Sequence, residues 1–168
     1  TIFLDRDGVN NKEVNFLHKI EDFEFVEGVF KACQYFQTLG YKIIIITNQS
    51  GISRGIYSEN DYQILTKWML KEFKKRSIKI LDIFHCPHSP NSDCECRKPK
   101  AGMLIKAKSK HNINMGKSWM IGDSDRDIEA ANIAGINKTI LVRSGHTIFE
   151  SKSKARFIID SIKQSSDL

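Results

Sequence analysis

Two carboxylates stand at the end of the first apolar run of the chain. Residues 2–4 (Ile-Phe-Leu) favour a β-strand, and Asp5, Asp7 and Gly8 follow them within four positions. Such a strand delivers both acids to its carboxyl end, where an open α/β sheet keeps its chemistry. One carboxylate of such a pair can attack an electrophile while the other carries a proton, and a metal ion can hold the first one ionised. An acidic surface turn is the alternative that these residues leave open.

Further polar residues follow later apolar runs. Thr47 and Asn48 end the second run, and Asp123 follows a later one. Because parallel strands end at one edge of a sheet, we expect these groups beside the N-terminal carboxylates. Arg97 and Lys98 lie in an irregular stretch that can fold over that edge. Oxygen ligands for a metal, together with hydroxyl and cationic donors, fit magnesium-assisted phosphoryl transfer.

The elements that must position these groups alternate along the chain. Apolar periodicity predicts helices at 29–39, 58–73, from 102 onward and at 128–134, and strands at 2–4, 41–47, 78–84, 119–121, 139–142 and 157–159. Strands and helices in alternation predict an α/β fold with a parallel sheet and helices on both faces. Neither period is found in residues 86–100. A chain of 168 residues predicts a single domain, residues 1–168.

Composition and charge argue against a membrane protein and against a nucleic-acid-binding protein. The chain is 40% apolar, but it has no apolar run long enough for a membrane span or a signal peptide. We therefore expect a cytoplasmic protein with no membrane partner. The net charge is +6, but the lysines are scattered over predicted helices, which is typical of solvated faces. No nucleic-acid partner is expected.

The cysteines suggest a second metal site. Cys86, His88, Cys94 and Cys96 offer three thiolates and one imidazole, which is a closed tetrahedral set for structural zinc. The one-residue gaps are tighter than those of most zinc fingers, and disulfides are the alternative. Cys33 falls on the apolar face of the helix predicted at 29–39 and is expected in the core.

Taken together, these motifs resemble the haloacid dehalogenase superfamily of phosphatases. Its four motifs are matched in order by Asp5-x-Asp7-Gly8-Val9, Thr47-Asn48, Lys98 and Gly122-Asp123-x-x-x-Asp127. Within the superfamily, the chain is similar to the D-glycero-D-manno-heptose 1,7-bisphosphate 7-phosphatase family and its relative, histidinol-phosphate phosphatase. The matching stretches are 3–10, 47–55, Cys86-Pro87-His88, Cys94-x-Cys96-Arg97-Lys98-Pro99 and Val142-Arg143-x-Gly145.

The resemblance implies a Rossmann-like haloacid dehalogenase fold without a cap domain and with a zinc-binding loop at 86–100. It implies that Asp5 is the nucleophile and forms an aspartyl-phosphate, and that Asp7 is the general acid and base. Thr47 and Lys98 would stabilise the phosphoryl oxygens, with Asp127 in support. The implied metal ligands are Asp5, the Asp7 backbone carbonyl and Asp123 for Mg2+, and Cys86, His88, Cys94 and Cys96 for structural Zn2+.

The resemblance also implies a substrate. The expected reaction is Mg2+-dependent removal of the 7-phosphate of a heptose 1,7-bisphosphate by a monomer, in the synthesis of nucleotide-activated heptose for bacterial surface polysaccharide. Histidinol phosphate is the second candidate substrate. One residue departs from the family pattern, because Ser124 stands where a basic side chain is common, although Arg126 is near it in sequence. The implied substrate-binding residues are Glu13, Val14, Asn15, Phe16, Asn48, Gln49, Ser50 and Arg97.

A serine hydrolase is the alternative from another class of enzyme. Residues 51–55 spell G-x-S-x-G around Ser53, and Asp123 and His146 follow in the chain order of an α/β-hydrolase triad. The nucleophile of that fold sits on the tight turn that leaves its strand, whereas Ser53 comes six residues after Thr47. This alternative predicts esterase activity without a metal.

Overall fold

A six-stranded parallel sheet with helices on both faces forms the described part of the protein, residues 1–167 of a computed structural model. The strands are β1 (Ile2–Leu4), β2 (Ile43–Asn48), β3 (Ile80–Cys86), β4 (Trp119–Gly122), β5 (Lys138–Val142) and β6 (Phe157–Ile159). The helices are α1 (Val29–Thr38), α2 (Glu59–Lys74), α3 (Gly102–His111) and α4 (Asp125–Ile133). The strand order is β3-β2-β1-β4-β5-β6, which confirms the predicted α/β fold.

The central strand β1 separates two apolar cores. The side chains of Ile2 and Leu4 point into the core beneath α1 and α2, and that of Phe3 points into the core beneath α3 and α4. Both faces of β1 are therefore buried, which is why its sequence is an unbroken apolar run. The buried Cys33 belongs to the first core, as expected.

Several boundaries differ by a few residues from the sequence-based prediction, and two of them bear on the site. Helix α4 begins at Asp125 rather than 128, because Ser124 and Asp127 form a capping box that starts the helix at polar residues. Strand β3 runs to Cys86 rather than 84, since Cys86 pairs in register with Asn48 of β2. The first zinc-ligand candidate thus belongs to the sheet and not to the loop.

The connection from β1 to α1 contains one short element, the 3-10 helix Ile20–Asp22. No cap domain is therefore inserted between these two elements, and the loop from Asp5 to Gly28 covers the edge of the sheet directly. Among the helices in residues 1–167, none has the length and apolar character needed to cross a bilayer.

Candidate active site

The carboxyl ends of β1, β2 and β4 bring the predicted catalytic groups to one edge of the sheet. Leu4 is in register with Ile45 of β2 and Ile121 of β4, so the polar residues after these strands lie side by side. The Asp5 amide donates to the Ile121 carbonyl at 3.0 Å and continues the β1–β4 pairing by one residue. The order of strands reverses at this point, where α/β sheets bind ligands.

Lys98 lies at the floor of this edge and joins two acids. Its Nζ is 2.8 Å from Asp5 Oδ1, 2.5 Å from Asp127 Oδ1 and 2.9 Å from the Ile46 carbonyl oxygen. The side chain of Asn48 fixes the Lys98 backbone, because it donates to the Lys98 carbonyl at 3.2 Å and accepts from the Lys98 amide at 3.1 Å. The loop that carries Lys98 is thus held against β2.

The electrostatics of this floor fit a divalent cation. Burial, opposed by Lys98 and reinforced by the carboxylates of Asp127 and Asp123, raises the pKa of Asp5 well above its usual value. Burial lowers the pKa of Lys98, but the stronger combined effect of Asp127 and Asp5 raises it. Carboxylate oxygens of Asp5, Asp123 and Asp127 lie within 4.8 Å of one another, so one ammonium faces three acids. An oxygen-rich, negatively charged cluster of this kind suits Mg2+.

Asp7 is surrounded by hydrogen-bond donors. Arg6 donates to its carboxylate from Nε at 3.2 Å and from a terminal nitrogen at 2.9 Å. The side-chain amides of Asn11 and Gln49 donate to it at 3.0 Å each. Gln49 also donates to the Thr47 hydroxyl at 2.8 Å and so connects the two groups. Thr47 itself is 1% exposed.

Asp123 lies between two glycines and a histidine. A Cβ atom at Gly8 or Gly145 would overlap the Asp123 carboxylate, so both positions need glycine. His146 approaches Asp123 Oδ2 with its backbone amide at 2.9 Å and with Nδ1 at 2.6 Å. Although burial raises the pKa of Asp123, these hydrogen bonds from His146 lower it overall. The hydrogen bond to Asp123, opposed by burial, raises the pKa of His146 to about 9.

A pocket of about 190 Å3 opens above these groups. All eight residues predicted to bind substrate line it, and so do Asp5, Asp7, Lys98, Asp123 and Asp127. The predicted catalytic residue Thr47 is not in this lining, and its hydroxyl accepts from Gln49 behind the pocket wall. Six further lining residues were not among the predicted site residues: Arg6, Leu17, Tyr57, Ser124, Arg126 and His146. For Arg126 a signal existed in the sequence, namely its position two residues after Ser124.

Three arginines bring positive charge to the pocket wall. Burial, followed by the nearby guanidinium groups of Arg126 and Arg54, lowers the pKa of Arg97. The Arg54 guanidinium lies 5.4 Å from the ring centre of Phe16, which belongs to the pocket wall. Within residues 1–167, none of these three arginines forms an ion pair with an acidic side chain. We call Arg54, Arg97 and Arg126 the arginine rim.

Three cysteines and one histidine cluster beside the pocket. The Cys86 sulfur is 3.0 Å from that of Cys96 and 3.8 Å from that of Cys94, and His88 Nδ1 is 3.2 Å from Cys96. All four cysteines of the chain lie within the described residues and are free thiols. Burial opposes ionisation of Cys94, but hydrogen bonds from the Arg97 amide and the neighbouring thiols lower its pKa to about 6. One ligand atom from each of the four side chains lies within 4.8 Å of the others, so the cluster is compatible with zinc.

The serine-hydrolase alternative finds no support in this geometry. The Ser53 hydroxyl is exposed and donates to the Ser50 carbonyl at 3.0 Å. Asp123 and His146 do lie together, but the described residues that line their pocket do not include Ser53. The sequence pattern G-x-S-x-G therefore marks a turn after β2 and not a nucleophile.

Comparisons with known proteins agree with the fold and the motifs. A family model described as HAD-hydrolase-like matches residues 95–165. The D-glycero-alpha-D-manno-heptose-1,7-bisphosphate 7-phosphatase of Photorhabdus laumondii is 49% identical over 160 residues, which cover 91% of this chain and 87% of that protein. The D-glycero-beta-D-manno-heptose-1,7-bisphosphate 7-phosphatase of Vibrio cholerae is 42% identical, with 96% and 91% of the two chains covered.

A solved structure is also similar. The D,D-heptose 1,7-bisphosphate phosphatase from B. bronchiseptica, complexed with magnesium and phosphate, superposes with a TM-score of 0.87. It is 26% identical, and the match covers 99% of this chain and 95% of that one. From the extent and identity of these matches, the chain belongs to the D-glycero-D-manno-heptose-1,7-bisphosphate 7-phosphatase family of the haloacid dehalogenase superfamily.

Proposed function

We propose that this chain is a Mg2+-dependent phosphatase that removes the 7-phosphate from a D-glycero-D-manno-heptose 1,7-bisphosphate. The observation that carries the proposal is the buried triplet of Asp5, Lys98 and Asp127 at the floor of the pocket. It supplies an attacking carboxylate next to a fixed cation, which is what in-line phosphoryl transfer requires. The relatives of this chain carry the same activity in their names.

In the first step, an Asp5 carboxylate oxygen attacks the phosphorus of the 7-phosphate. The bond from that oxygen to phosphorus forms while the bond from phosphorus to the sugar O7 breaks. Asp7 gives its proton to the departing O7, so the sugar leaves as a neutral alcohol. Lys98 and Thr47 stabilise the charge on the phosphoryl oxygens during this transfer.

In the second step, water cleaves the aspartyl-phosphate. Asp7, now a carboxylate, takes a proton from the water as the water oxygen bonds to phosphorus. The bond between phosphorus and the Asp5 oxygen breaks, and inorganic phosphate leaves. Asp7 is protonated again and Asp5 is ionised, which restores both groups for another turnover.

The Mg2+ ion would be held by the Asp5 carboxylate, the Asp7 backbone carbonyl and Asp123. When bound, it neutralises the negative charge shared by the phosphate and these acids. The close packing of Gly8 and Gly145 against Asp123 holds that ligand in place. Asp127 keeps Lys98 charged and directed at Asp5.

The arginine rim supports a substrate with a second anionic group. Three guanidinium groups without acidic partners lie in or beside the pocket wall, Arg97 and Arg126 in its lining and Arg54 over the ring of Phe16, while the proposed phosphoryl chemistry occurs at the floor. A bisphosphate places one phosphate at each end, whereas histidinol phosphate carries only one. Arg126 donates from Nε to Ser124 Oγ at 3.3 Å and can supply the basic group that position 124 lacks.

Structural zinc in the cluster of Cys86, His88, Cys94 and Cys96 would order the loop that presents Arg97 and Lys98. Four protein ligands leave no open position, so the zinc would have no catalytic role. Zinc binding needs these cysteines in the reduced state, which fits a reducing compartment such as the cytoplasm. One chain supplies every group that the two steps need, which supports a monomeric enzyme.

The test is inorganic phosphate release from both anomers of heptose 1,7-bisphosphate and from histidinol phosphate, with Mg2+ and after addition of EDTA. Asp5→Asn is the blank. We expect Mg2+-dependent turnover of a heptose bisphosphate that is faster than that of histidinol phosphate and absent from the blank. Faster release from histidinol phosphate would show that the assignment of a heptose bisphosphate as the substrate is wrong. Full activity of Asp5→Asn would overturn the mechanism.

A further inference from the structure

Arg6 is a buried cation that the two chemical steps do not use. Its side chain is 2% exposed, although it lies between the two catalytic carboxylates in sequence. Two nitrogens of the guanidinium donate hydrogen bonds to the Asp7 carboxylate, at 2.9 and 3.2 Å. The nitrogen at 2.9 Å also donates to the Leu17 carbonyl at 3.1 Å. Leu17 closes the segment of residues 13–17, all of which line the pocket.

A second set of contacts holds Asp7 from the opposite side. Gln49 is 2% exposed, and its Nε2 donates both to Asp7 and to Thr47. Its Oε1 accepts from the Tyr57 hydroxyl at 2.5 Å. A flipped amide would place Oε1 against the Asp7 carboxylate, so Nε2 is the atom that faces Asp7, and the Tyr57 hydroxyl holds the other end of the amide.

The Tyr57 ring is itself fixed in place. It stacks against the His18 ring with 5.1 Å between ring centres, and a Cβ atom at Gly51 would overlap it. The phenol is 5% exposed. Tyr57, Gln49 and Asp7 therefore form a chain of hydrogen bonds with little freedom to rearrange.

We propose that Arg6, and Tyr57 acting through Gln49, are positioning residues that hold the Asp7 carboxylate in the orientation needed for both proton transfers. The contact of Arg6 with the Leu17 carbonyl ties this orientation to the segment that contacts substrate. The proposal rests on the proposed role of Asp7 as acid and base. A charged fork with two parallel bonds restricts a carboxylate more than a single donor does, and small misplacements of a catalytic group are costly to rate.

A substrate with a better leaving group distinguishes a role of these residues in positioning Asp7 from a role in folding, because only the second chemical step then depends on Asp7. p-Nitrophenolate leaves phosphorus without help from an acid, so phosphorylation of Asp5 by p-nitrophenyl phosphate depends little on Asp7. Hydrolysis of the aspartyl-phosphate still needs Asp7 as base. A variant with a misplaced Asp7 will therefore release a burst of p-nitrophenolate and then turn over slowly. The burst amplitude counts folded sites, and the later rate per site reports on Asp7.

The variants are Arg6→Lys, which keeps the charge but loses the fork, and Tyr57→Phe, which keeps the ring but loses the hydroxyl. Tyr35→Phe on the exposed surface of α1 is the matched control. Each variant is assayed by rapid-quench release of p-nitrophenolate with Mg2+ and by acid-trapping of the phosphorylated protein. Steady-state KM and kcat for the heptose bisphosphate are measured alongside.

We expect the rate per site after the burst to fall about 30-fold in Arg6→Lys and about 5-fold in Tyr57→Phe, consistent with small displacements of a catalytic group. KM should stay within about twofold, and Tyr35→Phe should behave as the parent chain. A smaller burst with an unchanged rate per site, in either variant, would overturn the proposal in favour of a structural role. If Arg6→Lys does not fold, Tyr57→Phe decides by the same criterion.

The same data distinguish failure of the positioning role from failure of the proposed function. No trapped phosphoprotein in any variant, together with activity of Asp5→Asn, would remove the aspartyl-phosphate mechanism on which the inference rests. A trapped phosphoprotein at Asp5 with normal hydrolysis rates in both variants would leave that mechanism standing and remove the positioning role alone.

Discussion

The ammonium of Lys98 lies 2.8 Å from the carboxylate of Asp5, although the two residues belong to segments that are distant in sequence. Lys98 comes from an irregular loop and is 3% exposed, whereas Asp5 follows the central strand. Asn48 holds the loop in position by bonding to both backbone polar groups of Lys98. The distance between the Asp5 carboxylate and the Lys98 ammonium thus depends on β2 as well as on β1.

Replacement of this lysine tests its double role. In Lys98→Met, Asp5 and Asp127 lose the cation that offsets their burial, so kcat should fall at least about 100-fold. The free energy of unfolding should fall by about 3 kcal/mol, because two acids remain buried without a partner. Steady-state kinetics and urea unfolding measure the two effects. The control is Lys106→Met on the exposed surface of α3. If Lys98→Met keeps the kcat of the parent chain, Lys98 takes no part in the chemical steps.

A methyl group at Gly145 should damage the metal site. The added Cβ in Gly145→Ala overlaps Asp123 Oδ2, so the carboxylate must move. We expect the Mg2+ concentration for half-maximal activity to rise about tenfold, since one ligand is displaced. Mg2+ titration of activity measures this. Gly116→Ala is the control, because its nearest neighbour would be Asn114 Oδ1 at 3.5 Å. An unchanged Mg2+ requirement would exclude Asp123 as a ligand.

Loss of zinc should lower activity, because it frees the loop that carries Arg97 and Lys98. Cys96 directly precedes Arg97 and Lys98, so release of the metal frees the segment that carries both. In Cys96→Ser we expect the zinc content to fall from about one per chain to near zero and kcat to fall at least about tenfold. Elemental analysis and kinetics on the same samples measure both. Cys33→Ala is the control, since Cys33 lies in the core, and it should keep its zinc. Parent activity without zinc would show that the loop is ordered by other contacts.

The arginine rim should discriminate between substrates with one and two phosphates. For Arg126→Ala we expect kcat/KM for the heptose 1,7-bisphosphate to fall about tenfold, which corresponds to about 1.4 kcal/mol of lost binding. For the heptose 7-phosphate, which has no phosphate at C1, the change should be within about twofold. Arg156→Ala is the control, because Arg156 is exposed and does not line the pocket. Equal losses on both substrates would place Arg126 at the reacting phosphate instead.

Acid should remove one stabilising contact of α3. Burial raises the pKa of Asp82, but hydrogen bonds from Lys110 and His111 at the end of α3 lower it overall. A lowered folded-state pKa stabilises the protein above the unfolded-state value of about 3.9 and loses this contribution as pH falls through the folded-state pKa. Asp82→Asn should therefore reduce the free energy of unfolding by about 0.5–1 kcal/mol at pH 7, with solvent screening included.

Urea unfolding at pH 7, 5 and 3.5 measures the difference between the Asp82→Asn variant and the parent chain. The difference should be constant between pH 7 and 5 and smaller at pH 3.5. Asp22→Asn, in the exposed 3-10 helix, should match the parent at each pH. A difference that is independent of pH would assign the effect to packing and not to charge.

Much of the site could be predicted because its residues follow apolar strands. A parallel sheet brings the ends of such strands together, so Asp5, Thr47 and Asp123 could be assigned to one edge from periodicity alone. Arg6 could not be found in this way, because a charged residue after a strand is typical of a surface turn. Its burial depends on Leu17, in a loop without periodicity. Contacts between irregular segments leave no repeat in the sequence.

The first residues of the helices also cannot be found from apolar periodicity alone. The apolar stripe of α4 begins at Ile128, three residues after the helix starts, because the capping residues Ser124 and Asp127 are polar. In α2 the equivalent residues, Ser58 and Asp61, were found because they match the capping-box pattern ahead of an apolar run. Periodicity finds the buried face of a helix, and capping chemistry finds its first turn.

The sheet order has a consequence for synthesis of the protein. Among the six strands, β1 comes first in the chain but lies in the middle of the sheet, between β2 and the much later β4. A nascent chain can pair β1 with β2 while the other side of β1 stays uncovered, and exposed apolar strands of this kind are prone to aggregation. Asp123 reaches Asp5 only after β4 has joined. The proposed Mg2+ ligands therefore come together only after β4 has been made, and a chain that ends before β4 lacks one of them.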